Sequence, residues 1–467
     1  MIQTKVPSRR GSGGPAPRGR RHRPAVPPLD GVIPVRRAAP PAAGPSILRA
    51  VRRGRTPRTA VSAQEGPAIT VPGPQEQGLC PFPTNHGFTL HPAYAELRGA
   101  PLGRVRLPHG DDAWLATRYA DVQTVMSDPR FSIAAAVGRD QPRMREGARA
   151  AKGLFSMDPP DHTRLRSVVG RDFGARRMER IRGRVREVAE ARVDAMLAAD
   201  RPADLLTEFA IPVPTTVICE IIGVPAEDHD RFWTWAETIF ANDLPGDTVL
   251  AAVRDFFAYM AGMVAERRAA PREDMLTTLV RACDEEGQIT EEEMFAVAAD
   301  LLNAGFATTS HQIANFLATL LCHPEQLTLL RLKPDLIPGA VEELLRFVPI
   351  LSGFSFARYA VEDVPLGGVT VRAGEPVIGV LGAANRDPEA FPEPDALLVD
   401  RPTSPHLAFG KGPHFCVGAH LARVELQESL RVLLDRLPGL ALAVPPDELE
   451  WRHGSMVNGL TRLPVTW

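Results

Sequence analysis

No two of the five cysteines, Cys80, Cys219, Cys283, Cys322 and Cys416, stand at the spacing of a metal-ligating or redox pair, and their odd number leaves one over in any disulfide scheme. A disulfide-built fold is therefore not expected, and a chain kept in a reducing cytosol is. His414 and Cys416 have the spacing of half a zinc site, but no second Cys/His pair completes it. Long apolar runs are missing as well. No stretch approaches the roughly 18 uninterrupted apolar residues of a membrane helix, so a soluble, cytoplasmic protein without a membrane partner is expected. Net charge is almost absent, −2 from 54 Lys and Arg against 56 Asp and Glu. There is no glycine fingerprint for a flavin or nicotinamide and no run of cluster-binding cysteines, so any redox chemistry must take its electrons from a separate protein.

What the sequence does contain is unevenly distributed. Residues 1–75 carry 13 arginines against Asp30 and Glu65, in a setting of Pro, Gly and Ala with few large apolar residues. Such a segment cannot offset its ordering entropy, so residues 1–77 are read as a disordered extension and residues 78–467 as the folded domain. A basic tail that touches nucleic acid is the lesser reading, and an upstream start set too early is an equally simple one. Beyond the extension, "GRVRLP" and "DAWLAT" read as a strand pair and "YADVQTVMSD" as a short helix. The middle of the chain is helical: "MERIRGRVREVAEARVDAMLAA", "TVLAAVRDFFAYMAGMVAERRAA" and "EEMFAVAADLLNAGFATTSHQIANFLATLL" repeat apolar residues every three or four positions. The last should start behind Thr290 and end before Pro324, a single helix of about 30 residues at about 1.5 Å per residue. Short strands return in "GGVTV" and "EPVIGVL", and "AHLARVELQESLRVLLDRL" closes the chain's helices.

Cys416 sits in "HLAFGKGPHFCVGAHLARVEL", between a glycine-rich loop and the start of that last helix. Phe409, Gly410, Gly412, His414, Cys416 and Gly418 make the pattern FGxGxHxCxG. Glycines let a backbone turn tightly and come close to a flat partner. Loop amides and the helix N-terminus near Cys416 favour a thiolate. A lone thiolate on a loop is what an axial ligand to haem iron requires, whereas an isolated cysteine is also commonly a small buried hydrophobe.

From about Cys80 to Trp467 the sequence resembles a bacterial cytochrome P450 of the soluble, actinomycete, class I kind, and the cysteine loop carries the resemblance. It implies a mainly α fold with small β-sheets, the triangular helical prism of that family with a long central helix above haem. The implied cofactor is heme b, its iron held by the thiolate of Cys416, with O2 as cosubstrate. Glu343 and Arg346 in "EELLR" lie on one helical face, where an ion pair is easy. In the family this Glu-x-x-Arg pairs with a third arginine, here matching Arg401. His162 and Arg166 in "MDPPDHTRLRSVV" also share a face and suit an anion. The resemblance makes that anion the haem propionates, joined by residues matching Arg358 and His406.

On the long helix, "NAGFATTS" places small Ala304 and Gly305 where a groove for a diatomic ligand could open. Thr308 could donate to dioxygen or hold a water, with Thr309 beside it; a mid-helix threonine otherwise bonds back to the carbonyl one turn earlier. Family members resemble one another in carrying an acid just before this first threonine, and here that position is Ala307. Dioxygen reduction needs protons, so water ordered by Thr308 and Thr309, Asn303, or a group on the substrate would have to substitute. A substrate-assisted or atypical oxidation is expected, hydroxylation or an oxidative coupling or ring closure. By resemblance the substrate walls include a loop between Ala134 and Lys152, the segment around Trp233 and Trp235, Phe306, Leu351 and Val457. Both tryptophans could equally pack a helix. The function implied is a haem-thiolate oxidoreductase, a monooxygenase or coupling oxidase acting on a small natural product. Its partners would be a ferredoxin and ferredoxin reductase, which could meet Lys411, His420 and Arg423, and the protein is expected to be a monomer. The alternative is a haem-binding protein with little or no turnover.

Overall fold

A computed structural model describes residues 68–70, 90–143, 153–241, 244–305, 307–351, 356–402, 405–452 and 455–467. All of them belong to one compact unit, Arg36–Trp467. Cys80, Phe306, most of the Arg-rich segment and much of the loop before Lys152 lie outside the described residues.

Eleven strands form three sheets among the described residues. The largest has six, in the order β1 (Ala68–Thr70), β2 (Gly103–Arg106), β3 (Ala113–Ala116), β9 (Pro376–Gly379), β6 (Arg358–Ala360) and β4 (Phe131–Ser132). Its centre is a parallel pairing of β3 with β9, Leu115 opposite Ile378, and β6 then runs antiparallel with Arg358 opposite Val377. Strands β10 (Ala441–Leu442), β11 (Pro464–Thr466) and β5 (Ala203–Asp204) make the second sheet, β7 (Val364–Leu366) and β8 (Val369–Val371) the third. The pairing of β1 with β2 corrects the boundary read from composition, because Ala68–Thr70 lies within the segment taken as an extension. Two β-branched residues in a row, Ile69 and Thr70, suit a strand even in a proline-rich setting.

Helices make up most of the rest. The first half contributes α1 (Ala93–Arg98), α2 (Tyr119–Ser127), α3 (Asp161–Gly170), α4 (Ala175–Arg180), α5 (Arg182–Ala198), α6 (Pro212–Ile222) and α7 (His229–Phe240). Then come α8 (Gly246–Ala269), α9 (Met275–Asp284), α10 (Glu291–Gly305), α11 (Ala307–Leu321), α12 (Pro324–Leu332), α13 (Ile337–Phe347), α14 (Leu381–Ala384) and α15 (Ala419–Arg436). The expected helix from Met178 is two, since Ile181 at ψ −3° leaves helical geometry between α4 and α5. Helix α10 starts as its sequence predicts: the Thr290 amide donates to the Glu293 carboxylate at 2.9 Å and the Glu293 amide to the Thr290 hydroxyl at 3.2 Å. Helix α11 is buried almost all round, as befits a core helix.

Helix α8 is long and apolar enough, by length and mean hydropathy, to pass for a membrane span. It packs on α7, α9 and α10, burying Phe256, Met260, Met263 and Val264. Trp235 joins this packing, its ring centroid 5.7 Å from that of Phe256, while Trp233 turns the other way, 6.0 Å from His311 on α11. The larger cores lie where α11, α13 and α15 meet and where α6, α8, α9 and α10 meet.

Candidate functional site

The cysteine loop hangs between two left-handed glycines and a helix start. Gly410 and Gly412 take φ of 72° and 70°, and residues Gly412–His414 form a single 3₁₀ turn. The Cys416 amide donates to the Phe409 carbonyl at 2.9 Å, and Gly418 leads into α15. A side chain on Gly412 would place its Cβ 2.8 Å from the Met126 carbonyl oxygen and the Ser127 Cα at the end of α2. Gly412→Ala is therefore expected to cost about 1–3 kcal/mol of stability and to lower haem retention. Urea unfolding with haem content as a second readout checks it, and a loss below about 0.5 kcal/mol would contradict the geometry.

Burial raises the Cys416 thiol above its usual range. That departs from the thiolate expected from loop amides and helix dipole alone. The contacts that oppose burial are the Gly418 amide and the charges of Arg166 and Arg423, and a bound metal would deprotonate the thiol outright.

Beside the loop stand four basic groups from three separate segments. The His162 and His414 rings lie 4.1 Å apart between centroids, and Arg166 donates to the Phe415 carbonyl at 2.7 Å. Arg358 on β6 is 5% exposed, and its Nε has no partner, nor has Nε2 of His414. The carboxylate near them, Asp158, is already engaged by the Ser132 hydroxyl and by the amides of Ile133 and Ala134 at 3.1 and 3.3 Å. Burial, then Arg166, lowers His162; burial, then His162 and Arg358, brings His414 down to about 3. Burial likewise lowers Arg166 and Arg358. Two guanidiniums and two imidazoles clustered with unfilled donors, and no free counter-ion among the described residues, fit a dianionic group, and the two propionates of haem are such a group.

His406 is not brought into that cluster, which corrects the expectation for it. Its Nε2 lies 3.1 Å from the Glu342 carboxylate, and its Nδ1 accepts from the Ala408 amide at 3.2 Å. Glu342 also takes both arms of Arg423, at 2.7 and 2.8 Å, so its carboxyl, which burial would raise, is held down at about 2. His414, and not His406, is the histidine that stands against His162.

Glu343 and Arg346 on α13 pair through two bonds of 2.7 and 2.8 Å, both side chains 2% exposed. Arg401 adds its Nε at 3.1 Å from both Glu343 oxygens. The guanidiniums continue into main-chain carbonyls, Arg346 to Asn385, Pro394 and Ala396, Arg401 to Glu393 and Ala396. Asn385 in turn accepts from the Leu407 amide at 2.7 Å, two residues before Phe409.

On the distal side the Thr308 hydroxyl donates to the Ala304 carbonyl at 2.9 Å, one turn back. Ala307 is 1% exposed and Thr309 is buried. Gly305 departs from the groove expected of it. A Cβ there would come 2.7 Å from Ile218 Cγ1, so its lack of a side chain serves the approach of α6. Leu351 and Val457 face each other across a β-bridge, and the Asn458 amide donates to the Ile350 carbonyl at 2.7 Å. A small pocket lined by Leu345, Pro349, Leu351 and Ala408 lies beside the cysteine loop. The same C-terminal hairpin carries Arg452, which joins Glu237 of α7 at 2.6 Å and also contacts His311 of α11.

Two polar groups escaped the sequence reading. Glu237, Arg452 and His311 come from positions too far apart for any spacing to link them, and Glu425 on α15 reads as one more acid on an amphipathic helix.

With this geometry in place, the profile of the cytochrome P450 family matches residues 335–448. Over 389 residues the chain is 47% identical to the mycinamicin IV hydroxylase/epoxidase of Micromonospora griseorubida, covering 83% of this chain and 98% of that one. The crystal structure of HinD with NMFT and NO is 48% identical and superposes with a TM-score of 0.80, covering 83% and 98%. That of cytochrome P450mel 107F1 with biaryl coupling reactivity is 37% identical, also with a TM-score of 0.80, and covers 86% and 100%.

Proposed function

The chain belongs to the cytochrome P450 family, and from that premise we propose that it oxidises a natural product of bacterial secondary metabolism. It is a haem-thiolate oxidoreductase with O2 as cosubstrate. The observation that carries the reading of its site is the cluster of buried His162 and Arg358 with half-buried Arg166 and His414 beside Cys416, four basic groups with no free anion among the described residues.

In this reading the four basic side chains clamp the two propionates, and Arg166 also ties the clamp to the cysteine loop through the Phe415 carbonyl. Phe409, Gly410 and Gly418 shape the loop, from which the Cys416 sulfur would hold the iron of a bound haem. Haem held there supplies the activation of dioxygen. Ala304 leaves room above it, and Thr308 and Thr309 hold the hydroxyls nearest that space. Ala307 offers no acid, so proton delivery runs by an atypical route. Leu351 and Val457 line the substrate space, closed from one side by the hairpin that Glu237 and Arg452 tie to α7. Electrons come from a ferredoxin and its reductase in the cytoplasm, and the catalytic domain acts as a monomer behind a basic N-terminal extension.

The likeness to a mycinamicin IV hydroxylase/epoxidase makes macrolides the first substrates to test. Titration of the purified holoenzyme with mycinamicin IV and smaller macrolides is expected to shift the iron toward high spin. Reconstitution with a surrogate ferredoxin, its reductase and NADPH should then give products heavier by one oxygen atom. A panel of macrolides, β-lactams and polyphenols that produces neither spin shift nor product would overturn the substrate class.

A further inference from the structure

The sequence offers Arg423 as a surface contact for a partner protein, but the structure commits its side chain inward. Its Nε and Nη2 donate to the two oxygens of Glu342 at 2.7 and 2.8 Å, a bidentate pair between α15 and α13. The guanidinium lies over the Phe409 ring, 4.7 Å from the centroid, within the range of a cation–π contact. Glu342 is oriented in turn by His406. Nδ1 of that ring accepts from the Ala408 amide, so the ring proton sits on Nε2 and is donated to the carboxylate at 3.1 Å. The contacts run from His406 through Glu342 and Arg423 to Phe409, so they leave the cysteine loop and return to it.

An ion pair that only joined two helices would not need this placement. Five residues further along α15, Glu428 has the plainer form, tying its helix to α5 through Arg182 and Arg186 at 2.7 Å each. The Arg423 pair instead stands at the segment that carries the metal ligand. Phe409, under the guanidinium, accepts the Cys416 amide with its carbonyl at 2.9 Å. The side chains of Arg423 and Glu342 are 26% and 21% exposed, so solvent screens their field less than that of a fully exposed pair. Opposite charges fixed in this order make a dipole, and its positive end acts on the Cys416 sulfur, where it opposes the effect of burial. A positive charge held beside an iron–thiolate unit favours the form that carries one more electron.

We propose that the Arg423 guanidinium, held over Phe409 by Glu342 and His406, is a fixed charge that sets the reduction potential of the iron bound at Cys416. The inference rests on the haem-thiolate reading above. The step it governs is the transfer of one electron from a ferredoxin-type donor: the donor is oxidised, ferric iron becomes ferrous, and no bond forms or breaks at Arg423. Arg423 acts through space on the sulfur. Glu342 and His406 are positioning residues that keep its charge from turning out to solvent.

Spectroelectrochemical titration of the substrate-free holoenzyme with small redox mediators reads the potential without a partner protein. Arg423→Gln is expected to lower it by about threefold or more in the equilibrium for the electron, tenfold being 59 mV. Glu342→Gln keeps an oxygen for Arg423 and removes the opposing negative charge, so it should raise the potential. The variant neutralised at both positions should fall between the wild type and Arg423→Gln. This order follows charge, whereas a loosened loop would move all three variants the same way. The carbon–oxygen stretch of the reduced, CO-bound protein should follow it, lower in Arg423→Gln, where the thiolate donates more strongly to iron, and higher in Glu342→Gln. If Arg423→Gln does not fold, the sign of the change in Glu342→Gln decides. Any other order among variants that keep the thiolate band overturns the proposal. Absence of that band from the wild type would instead overturn the haem-thiolate reading beneath it.

Discussion

Cys416→Ser is expected to remove the thiolate-type absorption of the reduced, CO-bound protein and to lower monooxygenase turnover by about 10³-fold or more, equivalent to roughly 4 kcal/mol of barrier. No other described cysteine can take its place. Burial pushes the Cys219 thiol up to about 12, with Glu220 adding to the effect, and it raises Cys283 and Cys322 as well. Cys416 is alone among them in having a main-chain amide, Gly418, and two arginines, Arg166 and Arg423, that oppose burial. A bound iron ion adds the remaining stabilisation of the anion. Cys219→Ser serves as the control and should leave the spectrum intact. A thiolate band that survives in correctly folded Cys416→Ser would move the metal ligand elsewhere and undo the assignment of the loop.

Much of this was legible in the sequence because it was local. Thr290 and Glu293 cap α10 within three residues of each other, and Glu343 and Arg346 share one helix face. The pattern from Phe409 to Gly418 fits within one loop. What could not be read depended on partners distant in sequence. His406 and His414 flank the same loop, and only the third dimension decides that one meets Glu342 and the other His162. Gly305 could open a groove or admit a neighbour, and the choice was made by Ile218 on another helix. Glu425 and Glu428 look alike in "VELQESL", yet Arg182 and Arg186, more than two hundred positions away, neutralise one and leave the other. Strand β1 was hidden by composition, since an arginine- and proline-rich setting masks a three-residue strand whose pairing lies with Gly103–Arg106.

Glu343→Ala is expected to cost about 3–5 kcal/mol and to leave little haem-loaded protein at 37 °C. The carboxylate accepts from Arg346, Arg401 and the Leu398 amide, all in a region closed to water. Its loss would strand two buried guanidiniums a short distance from a third, Arg386, which burial and then the charge of Arg346 already bring down to about 10. The nearby acid, Asp395, bonds Arg386 at 2.8 Å, but its side chain is 80% exposed and its charge is screened. Main-chain carbonyls would still receive the guanidinium protons, yet carbonyls carry no compensating charge. The damage reaches the cysteine loop because Arg346 holds the Asn385 carbonyl and the Asn385 side chain holds the Leu407 amide. Guanidinium unfolding, followed in parallel by haem absorbance, measures both consequences. Removing Arg401 along with Glu343 relieves one stranded charge, so the double variant should lose at least about 1 kcal/mol less than the two single losses added together. Additive losses would mean that Arg401 is held by its carbonyls alone, and a loss from Glu343→Ala below about 1 kcal/mol would mean that the three-residue cluster is not what joins α13 to the loop.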